Sequence, residues 1–485
     1  MVGNWNKRTI LWYLTFTGNL ISTIVMTNIN IAIVGMVRQT SIFNNNELAS
    51  ECVSLSQVNK SNLISHSNNT NGNFSWNDAQ QSTLLGSFSW LLWVTLVPGG
   101  MLSAKYGSKV IFGTANLMMS LLAFVMPVAA YEGLGTLIAV RVAQGMMDGL
   151  GNSCMHTIAS KWIPENERSW FMATYVGGKS LAVVLAYPFF GWIIEVSRWE
   201  NVFYLSGIIG VVWCMFWYCF MYDTPAQHKG IRRYELEYIE SMVGLMNPDL
   251  SPHTPWIPIL MSPQVWLNLL LCFTNVFALS FLLIYIPMYY TIIHGIDVQS
   301  SAILSGTTHI FRLIFAIGFS IYFDRLIAHE TLSRTLVRKI ATGCCTIGTG
   351  IALFIAGYSG CNFISAAIFI TIAIASTGFC NSSFFATMVD IAPNFAGIIM
   401  AVASTFSTFA VLLLSSFVAW VIGDGDGQTV ENWKVIFTVT AVISIVPGML
   451  FIAFGSAKMQ TWNYTTTATR TDEREECDER TPLVY

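Results

Sequence analysis

The chain has unusually few charged side chains. Asp, Glu, Lys and Arg make up 11% of its 485 residues, less than half of the roughly 25% that is usual in a soluble protein. Hydrophobic residues make up 54%, and the mean hydropathy is +0.56. No soluble core can hide that much apolar surface, so we expect most of the chain to lie in lipid. This composition excludes a soluble enzyme and a disordered hub protein.

An excess of positive charge is also missing. The formal net charge is -3 and the sequence pI is about 6.2, whereas a nucleic-acid partner requires a basic face. Cysteine is sparse as well, because ten cysteines do not make a disulfide scaffold in a chain of this length. The apolar runs contain no His-Glu-x-x-His or paired-carboxylate motif. We therefore expect no nucleic acid, no metal, no cofactor and no enzyme activity.

What the chain does have is twelve long apolar runs. Each is long enough for a helix to cross about 30 Å of hydrocarbon. The sequence therefore predicts an all-α membrane protein whose twelve transmembrane helices form two six-helix halves. The predicted parts are an N-terminal half at 1–221, a cytosolic linker at 222–262, a C-terminal half at 263–456 and a disordered cytosolic tail at 457–485. The runs lie at 10–36, 82–103, 110–130, 134–157, 170–195, 200–221, 264–290, 301–323, 336–357, 362–388, 396–422 and 434–455.

Lys and Arg predict the orientation of these spans. If the N-terminus is cytosolic, seventeen basic residues fall on the cytosolic side and four on the other side. Basic residues concentrate in cytosolic loops, so both termini are predicted to be cytosolic. The four on the lumenal side are Arg38, Lys60, Arg198 and Lys434.

Glycosylation patterns give an independent indication of the same orientation. The polar loop predicted at 38–81 contains three Asn-x-Ser/Thr patterns, at Asn59, Asn68 and Asn73. Sugar is added to such patterns on the lumenal side of a membrane. The loop is therefore predicted to be lumenal and glycosylated.

Four charged residues lie deep inside the predicted spans. Arg141, Lys179 and Arg312 are basic, and Asp148 is the acidic residue at comparable depth. A charge at a helix centre costs at least about 2.5–3.5 kcal/mol and usually marks a functional cavity. The positive surplus favours an anionic ligand. The alternative for Arg141 is a side chain that reaches towards the lumenal headgroups.

The fourth run carries a stripe of polar residues. Arg141, Gln144, Asp148 and Asn152 follow the spacing i, i+3, i+7, i+11, which places them on one helix face. Lipid cannot satisfy such a stripe, so it is expected to face protein or water. The planar fork of Arg141 suits a carboxylate or a phosphate. Asp148 lies about 10 Å along the axis from Arg141, too far for the two to form an ion pair. Because an unpaired buried carboxylate can take up a proton, Asp148 is a candidate proton carrier. Its alternative role is to neutralise Lys179.

Other candidates are weaker. Lys179, in the fifth run, is a candidate substrate contact. Arg312 lies one turn after His309 and is either a substrate contact or half of a structural salt bridge. His156 is a candidate for proton coupling, although a helix-end histidine is the simpler interpretation. Asp390 is interpreted as a cap or a gate charge.

Several segments together resemble one family of transporters. Arg141-Val-Ala-Gln-Gly-Met-Met-Asp148-Gly, Trp162-Ile-Pro-Glu-Asn-Glu167-Arg168-Ser169 and Asp390-Ile-Ala-Pro-Asn-Phe-Ala-Gly397 carry the resemblance. Pro98-Gly-Gly-Met-Leu-Ser-Ala-Lys105 and Glu431-Asn-Trp433 support it. The chain is similar over about residues 10–462 to the anion:cation symporter family of the major facilitator superfamily, which includes sialin, vesicular glutamate transporters and sodium/phosphate cotransporters.

The resemblance implies transport of organic anions. It implies that Arg141 contacts a substrate carboxylate and that Asp148 stands where the family usually has a proton-coupling glutamate. The family often has an arginine in the first span where this chain has Asn28, which is a candidate substrate contact. Lys179 replaces a family glutamine, and Arg312 replaces an apolar residue. This chain has therefore lost one basic residue and gained two, which leaves its substrate open.

The C-terminal tail carries a sorting motif. Glu479, Leu483 and Val484 approximate an acidic dileucine signal, so lysosomal or vesicular sorting through adaptors is favoured over the plasma membrane.

The sequence thus predicts a secondary active transporter of small organic anions, coupled to protons and working by alternating access. The alternatives are a sodium-coupled phosphate or urate-type transporter at the plasma membrane and a membrane sensor that transports nothing.

Overall fold

The computed structural model describes residues 6–37, 52, 72–163, 165–228, 230–243, 255–329, 332–423 and 427–463. It is built from α-helices joined by short turns. The helices are α1 (Lys7–Met36), α2 (Asp78–Ser87), α3 (Leu92–Tyr106), α4 (Ser108–Glu132), α5 (Leu134–Trp162), α6 (Glu165–Val196), α7 (Glu200–Phe220), α8 (Arg233–Val243), α9 (Trp256–Met261), α10 (Pro263–Ile284), α11 (Ile286–Ile292), α12 (Val298–Ala328), α13 (Arg334–Thr342), α14 (Gly348–Tyr358), α15 (Phe363–Thr377), α16 (Phe384–Ile391), α17 (Ala396–Gly423) and α18 (Val430–Phe454).

These helices form the predicted twelve spans. Within the described residues, ten helical rods are long and apolar enough to cross a membrane, and four of them combine consecutive helices: α2–α3, α10–α11, α13–α14 and α15–α16. The remaining two spans are α5 and α12, of 29 and 31 residues, which pack among the others. They carry three of the four intramembrane charges, Arg141, Asp148 and Arg312. The predicted fold class is confirmed.

The short helix α8 lies between the two halves and docks on the start of α1. The backbone N–H of Arg8 donates to the carboxylate of Glu235 at 2.9 Å, and the Tyr234 hydroxyl donates to Asn6 at 2.9 Å. A carboxylate is favourable at a helix N-terminus, where backbone N–H groups lack partners. The connection between the halves is therefore fixed to the first span.

The apolar cores show how the halves meet. An even number of crossings returns the chain to the side where it began, so both described chain ends lie at one face of the bundle. We name it the chain-end face. At the opposite face, one core joins the two halves and includes Met36, Tyr285 and Trp433. At the chain-end face each half has a core of its own, around Trp162 and around Phe384. The halves are thus packed together at the opposite face and packed separately at the chain-end face.

A disulfide links the two halves at the opposite face. Cys52, in the loop after α1, bonds to Cys361, in the turn between α14 and α15, across 309 residues of sequence. The sequence analysis did not predict this bond, because spacing alone does not determine cysteine pairing. The second end of the same loop is held by Asn73, whose side-chain amide donates to the Tyr131 hydroxyl at 2.8 Å.

Candidate functional site

The polar stripe of α5 faces the interior of the N-terminal half. Arg141 is 1% exposed, Gln144 is fully buried and Asp148 is 9% exposed. Asn152, one turn further along, is half-buried. The helical spacing in the sequence therefore places these side chains on the face expected for them.

Arg141 is buried among neutral groups. Its guanidinium donates to the Gln144 side-chain oxygen at 3.1 Å and to the Met26 carbonyl at 3.0 Å, and it lies over the Phe88 ring with 4.9 Å to the centroid. Its Nε has no hydrogen-bond partner. None of its described contacts is a carboxylate, and it does not reach towards the headgroups. A buried cation with a spare donor and no counterion suits a ligand anion.

Asp148 lies about two turns further along α5, within a group of hydrogen-bonding side chains. Its carboxylate accepts from the Ser22 hydroxyl at 2.6 Å and from the Asn152 amide at 2.7 Å. These donors hold the carboxylate in place without neutralising its charge. Asn19, Asn116 and Tyr175 complete the recess around it.

Asn152 connects Asp148 to Lys179. Its side-chain oxygen accepts from the Lys179 ammonium at 3.2 Å and from the Tyr175 hydroxyl at 2.9 Å, while its amide donates to Asp148. The described contacts contain no direct ion pair between Lys179 and Asp148. Lys179 and Asp148 are therefore linked by the side-chain amide of Asn152, which lies between them.

Arg312 extends this network into the C-terminal half. From α12 it donates to the Ser180 hydroxyl on α6 and, at 3.1 Å, to the Thr377 hydroxyl on α15. Both acceptors are neutral hydroxyls. The described contacts of Arg312 therefore contain no structural salt bridge. His309, one turn earlier, is 2% exposed, and its Nδ1 has no partner. The contact with Ser180 carries Arg312 across the boundary between the halves, from α12 to α6.

Arg141, which is buried, and Arg312, which is half-buried, each lie beside an interrupted helix. The α2–α3 rod breaks at residues 88–91, next to Arg141, and the α15–α16 rod breaks at residues 378–383, next to Arg312. Broken helices commonly form the binding sites of transporters, because they expose backbone groups to a ligand. Glycine permits the close approach in both places. A Cβ on Gly145 would overlap the Phe88 carbonyl oxygen, and one on Gly378 would lie 2.6 Å from the Arg312 carbonyl oxygen.

Other predicted residues lie elsewhere. Asn28 is fully buried and donates to the Ser206 hydroxyl on α7 at 3.1 Å, with its side-chain oxygen unpartnered. Asp390 forms a partly buried ion pair with Arg338 at 2.8 Å. Asn73 is exposed. The predictions that fall outside the described residues or side chains are those for His156, Asn59, Asn68, Glu479, Leu483 and Val484.

The sequence analysis missed several polar side chains around Asp148 and Arg312. Ser22 and Tyr175 surround Asp148, and Ser180 and Thr377 hold Arg312. Ser22 had a signal in the sequence, because it follows Asn19 at helical spacing within the first span. Ser180 and Thr377 had none, since serine and threonine are common within membrane helices.

Comparison with known proteins identifies the family of this chain. Residues 15–415 match the model of the Major Facilitator Superfamily. Sialin from Homo sapiens is 32% identical over 452 residues, covering 93% of this chain and 89% of sialin. The chain belongs to the Major Facilitator Superfamily. Within this family it is also similar to a putative inorganic phosphate cotransporter from Drosophila melanogaster, at 29% identity, with 94% of this chain and 86% of the relative covered. Vesicular glutamate transporter 2 from Homo sapiens is 29% identical, with 94% and 75% covered.

Solved structures of the superfamily share the fold. The inward open conformation of the xylose transporter XylE from E. coli matches with a TM-score of 0.65 at 12% identity, covering 96% of this chain and 99% of that one. A bacterial homologue of the lysosomal transporter Spinster matches with a TM-score of 0.63 at 13% identity, covering 96% and 99%. Family membership makes this chain a multi-pass membrane transporter and not an enzyme, as predicted.

Proposed function

We propose that this protein is a secondary active transporter of small organic anions that couples their movement to protons. Arg141 carries the proposal, because it is a buried guanidinium with a free Nε and no anionic partner among the described residues. Such a group is costly in an empty site and is satisfied when an anion binds. Sialin and the vesicular glutamate transporters, which resemble this chain, are relatives whose names fit an anionic substrate.

Asp148 is the proposed proton carrier. It lies on the same face of α5 as Arg141 and accepts hydrogen bonds from two neutral groups, Ser22 and Asn152. Protonation there removes the negative charge and leaves both neighbours in place. His156 is the second candidate for this role, and sodium is the alternative coupling ion.

The way the halves are packed supports a mechanism of alternating access. Their shared core at the opposite face and their separate cores at the chain-end face suit a transporter open to the chain-end face. We propose that this face is the cytosolic one and that the protein resides in a lysosomal or vesicular membrane. A sorting adaptor would then read the tail residues Glu479, Leu483 and Val484.

Phosphate is the second candidate substrate. It is favoured by the similarity to putative inorganic phosphate cotransporters and by the chemistry of Arg141, which binds phosphate as well as carboxylate.

Uptake into liposomes tests the proposal. Purified protein is reconstituted and offered labelled sialic acid, glucuronate, glutamate, urate and phosphate, with a pH gradient, a sodium gradient or neither. We expect flux of at least one carboxylate, reduced at least about 100-fold in Arg141→Ala, because a charged hydrogen-bonded pair is worth about 3 kcal/mol or more. Arg198→Ala, which removes an exposed cation, is the matched control. Binding without flux of any of these anions would instead support a sensor.

A further inference from the structure

The side chain of Asn152 lies between two groups of opposite charge. Its amide nitrogen donates to the Asp148 carboxylate at 2.7 Å and to the Asp148 backbone carbonyl at 3.1 Å. Its oxygen accepts from the Lys179 ammonium at 3.2 Å and from the Tyr175 hydroxyl at 2.9 Å. An asparagine side chain offers two N–H donors and two acceptor lone pairs. All of them are used here, so the side chain is fixed in place.

The two charges also determine which way the amide points. Its N–H groups face the carboxylate of Asp148, and its oxygen faces the ammonium of Lys179. The reverse orientation would bring N–H groups against an ammonium that has only donors, and the oxygen against a carboxylate oxygen. Asn152 therefore occupies the space between Lys179 and Asp148 in a single orientation.

Asn152 keeps the two charges apart by a small distance. The two hydrogen bonds and the width of one amide group place the Lys179 nitrogen at most about 8 Å from the Asp148 oxygen. The described contacts contain no ion pair between these two residues. Lysine carries its charge on a flexible four-carbon stem. A stem of that length can close this gap once the amide is removed.

Neighbouring helices bring other polar groups to Asp148, and most of them do not titrate. Among the described side chains, the titratable ones are Lys179 and Tyr175, both on α6, while Arg141 lies about two turns away on α5 itself. The side chains that do not titrate are Asn19 and Ser22 from α1, Thr95 from α3 and Asn116 from α4. Lys179 is therefore the nearby cation that can pair with Asp148.

Resting on the proposed role of Asp148 as proton carrier, we infer that Asn152 is a positioning residue that prevents Lys179 from pairing with Asp148. An ammonium in direct contact favours the ionised form of a carboxylate. A carrier paired in this way would need a higher proton concentration before it takes up its proton. By holding the two charges apart, Asn152 sets the pH at which the transporter is loaded.

A double-mutant cycle tests the inference. Uptake into liposomes is measured against external pH for the wild type, Asn152→Ala, Lys179→Gln and the double variant. Asn152→Ala is expected to lower the pH of half-maximal uptake by about one unit or more, because a contacting cation favours the ionised carboxylate by at least that much. In the Lys179→Gln background the same substitution is expected to leave the midpoint unchanged, because the two effects are coupled. Equal shifts in both backgrounds, or no shift in either, would overturn the inference.

Asn268→Ala is the matched control for this cycle. Asn268 is also a buried asparagine in a membrane span, and its amide also donates to a backbone carbonyl one turn earlier, at 2.7 Å. It lies on α10, in the other half. The variant is expected to keep the wild-type pH of half-maximal uptake. A shift as large as that of Asn152→Ala would mean that loss of any buried amide changes the pH profile, which would contradict the inference.

Infrared difference spectroscopy follows Asp148 without relying on transport. The C=O stretching band of the protonated carboxyl group is recorded against pH in purified protein, and Asp148→Asn identifies the band. Its midpoint is expected to move to lower pH in Asn152→Ala and to return when Lys179→Gln is added. If Asn152→Ala does not fold, Asn152→Ser replaces it, because a serine hydroxyl is too short to reach both charges. A band midpoint that is the same with and without Asn152 would also overturn the inference.

The proposed function and this inference fail differently. If wild-type uptake does not respond to a pH gradient, or if Asp148→Asn still responds, the proposed proton coupling through Asp148 itself fails. If the response depends on Asp148 but Asn152→Ala acts alike with and without Lys179, the proposed coupling stands and only the role of Asn152 is lost.

Discussion

Arg141 shows how a single buried side chain can indicate a ligand. In soluble and membrane interiors alike, a buried charge normally has a counterion, because leaving water is expensive. Here the described partners are two neutral oxygens and the face of an aromatic ring. The residue is thus held in position by groups that do not neutralise it, which is useful for binding an anion and unfavourable for stability.

The stability of the empty protein tests this view of Arg141. Arg141→Met keeps an unbranched side chain of similar length and removes the uncompensated charge, so we expect it to stabilise the anion-free protein by about 1–2 kcal/mol. The measurement is the melting temperature in detergent, with Arg198→Met as the exposed control. Stabilisation by added substrate is expected to disappear in Arg141→Met. A large loss of stability without ligand would show that Arg141 is structural.

At the scale of helices, the sequence predicts much but not all of the architecture. Apolar runs located the twelve spans because lipid demands long, internally hydrogen-bonded segments. The interruptions at residues 88–91 and 378–383 were not predicted. They depend on tertiary contacts with neighbouring helices, such as the approach of Gly145 to the Phe88 carbonyl, and a run of apolar residues gives no sign of them.

Gly145 tests the importance of the first interruption. In Gly145→Ala the new methyl group meets the Phe88 backbone, which cannot move aside as a flexible side chain would. We expect a loss of about 1–3 kcal/mol, typical of overpacking, together with weaker anion binding because Arg141 is displaced. Gly151→Ala is the matched control on the same helix, since its Cβ would have an ordinary contact of 3.5 Å with Ala115. Equal melting temperatures for both variants would show that the close approach is unimportant.

At the scale of the molecule, the sequence predicted the part of the candidate site that lies on one helix but not the contacts between the halves. The stripe on α5 follows from helical spacing within one segment and was found in the sequence. The contact of Arg312 with Ser180 joins different halves, and the Cys52–Cys361 disulfide spans 309 residues. Contacts of this kind arise from how the halves pack, which local sequence patterns do not encode.

The shared core and the charged network together relate the two halves to the candidate site. Two halves share a core at one face, and a charged network beside interrupted helices crosses the boundary between them. We propose that a substrate bound there contacts both halves and that one proton on Asp148 changes the charge of the site. In this proposal, rocking of the halves carries substrate and proton together.

Proton-driven accumulation tests the central claim most directly. Liposomes containing wild-type protein or Asp148→Asn are given an imposed pH gradient, and the internal concentration of a carried anion is followed over time. We expect the wild type to accumulate the anion above its external concentration, and Asp148→Asn to show anion exchange that no longer responds to the gradient. Gradient-driven accumulation that is unchanged in Asp148→Asn, or that is absent from the wild type, would contradict the account.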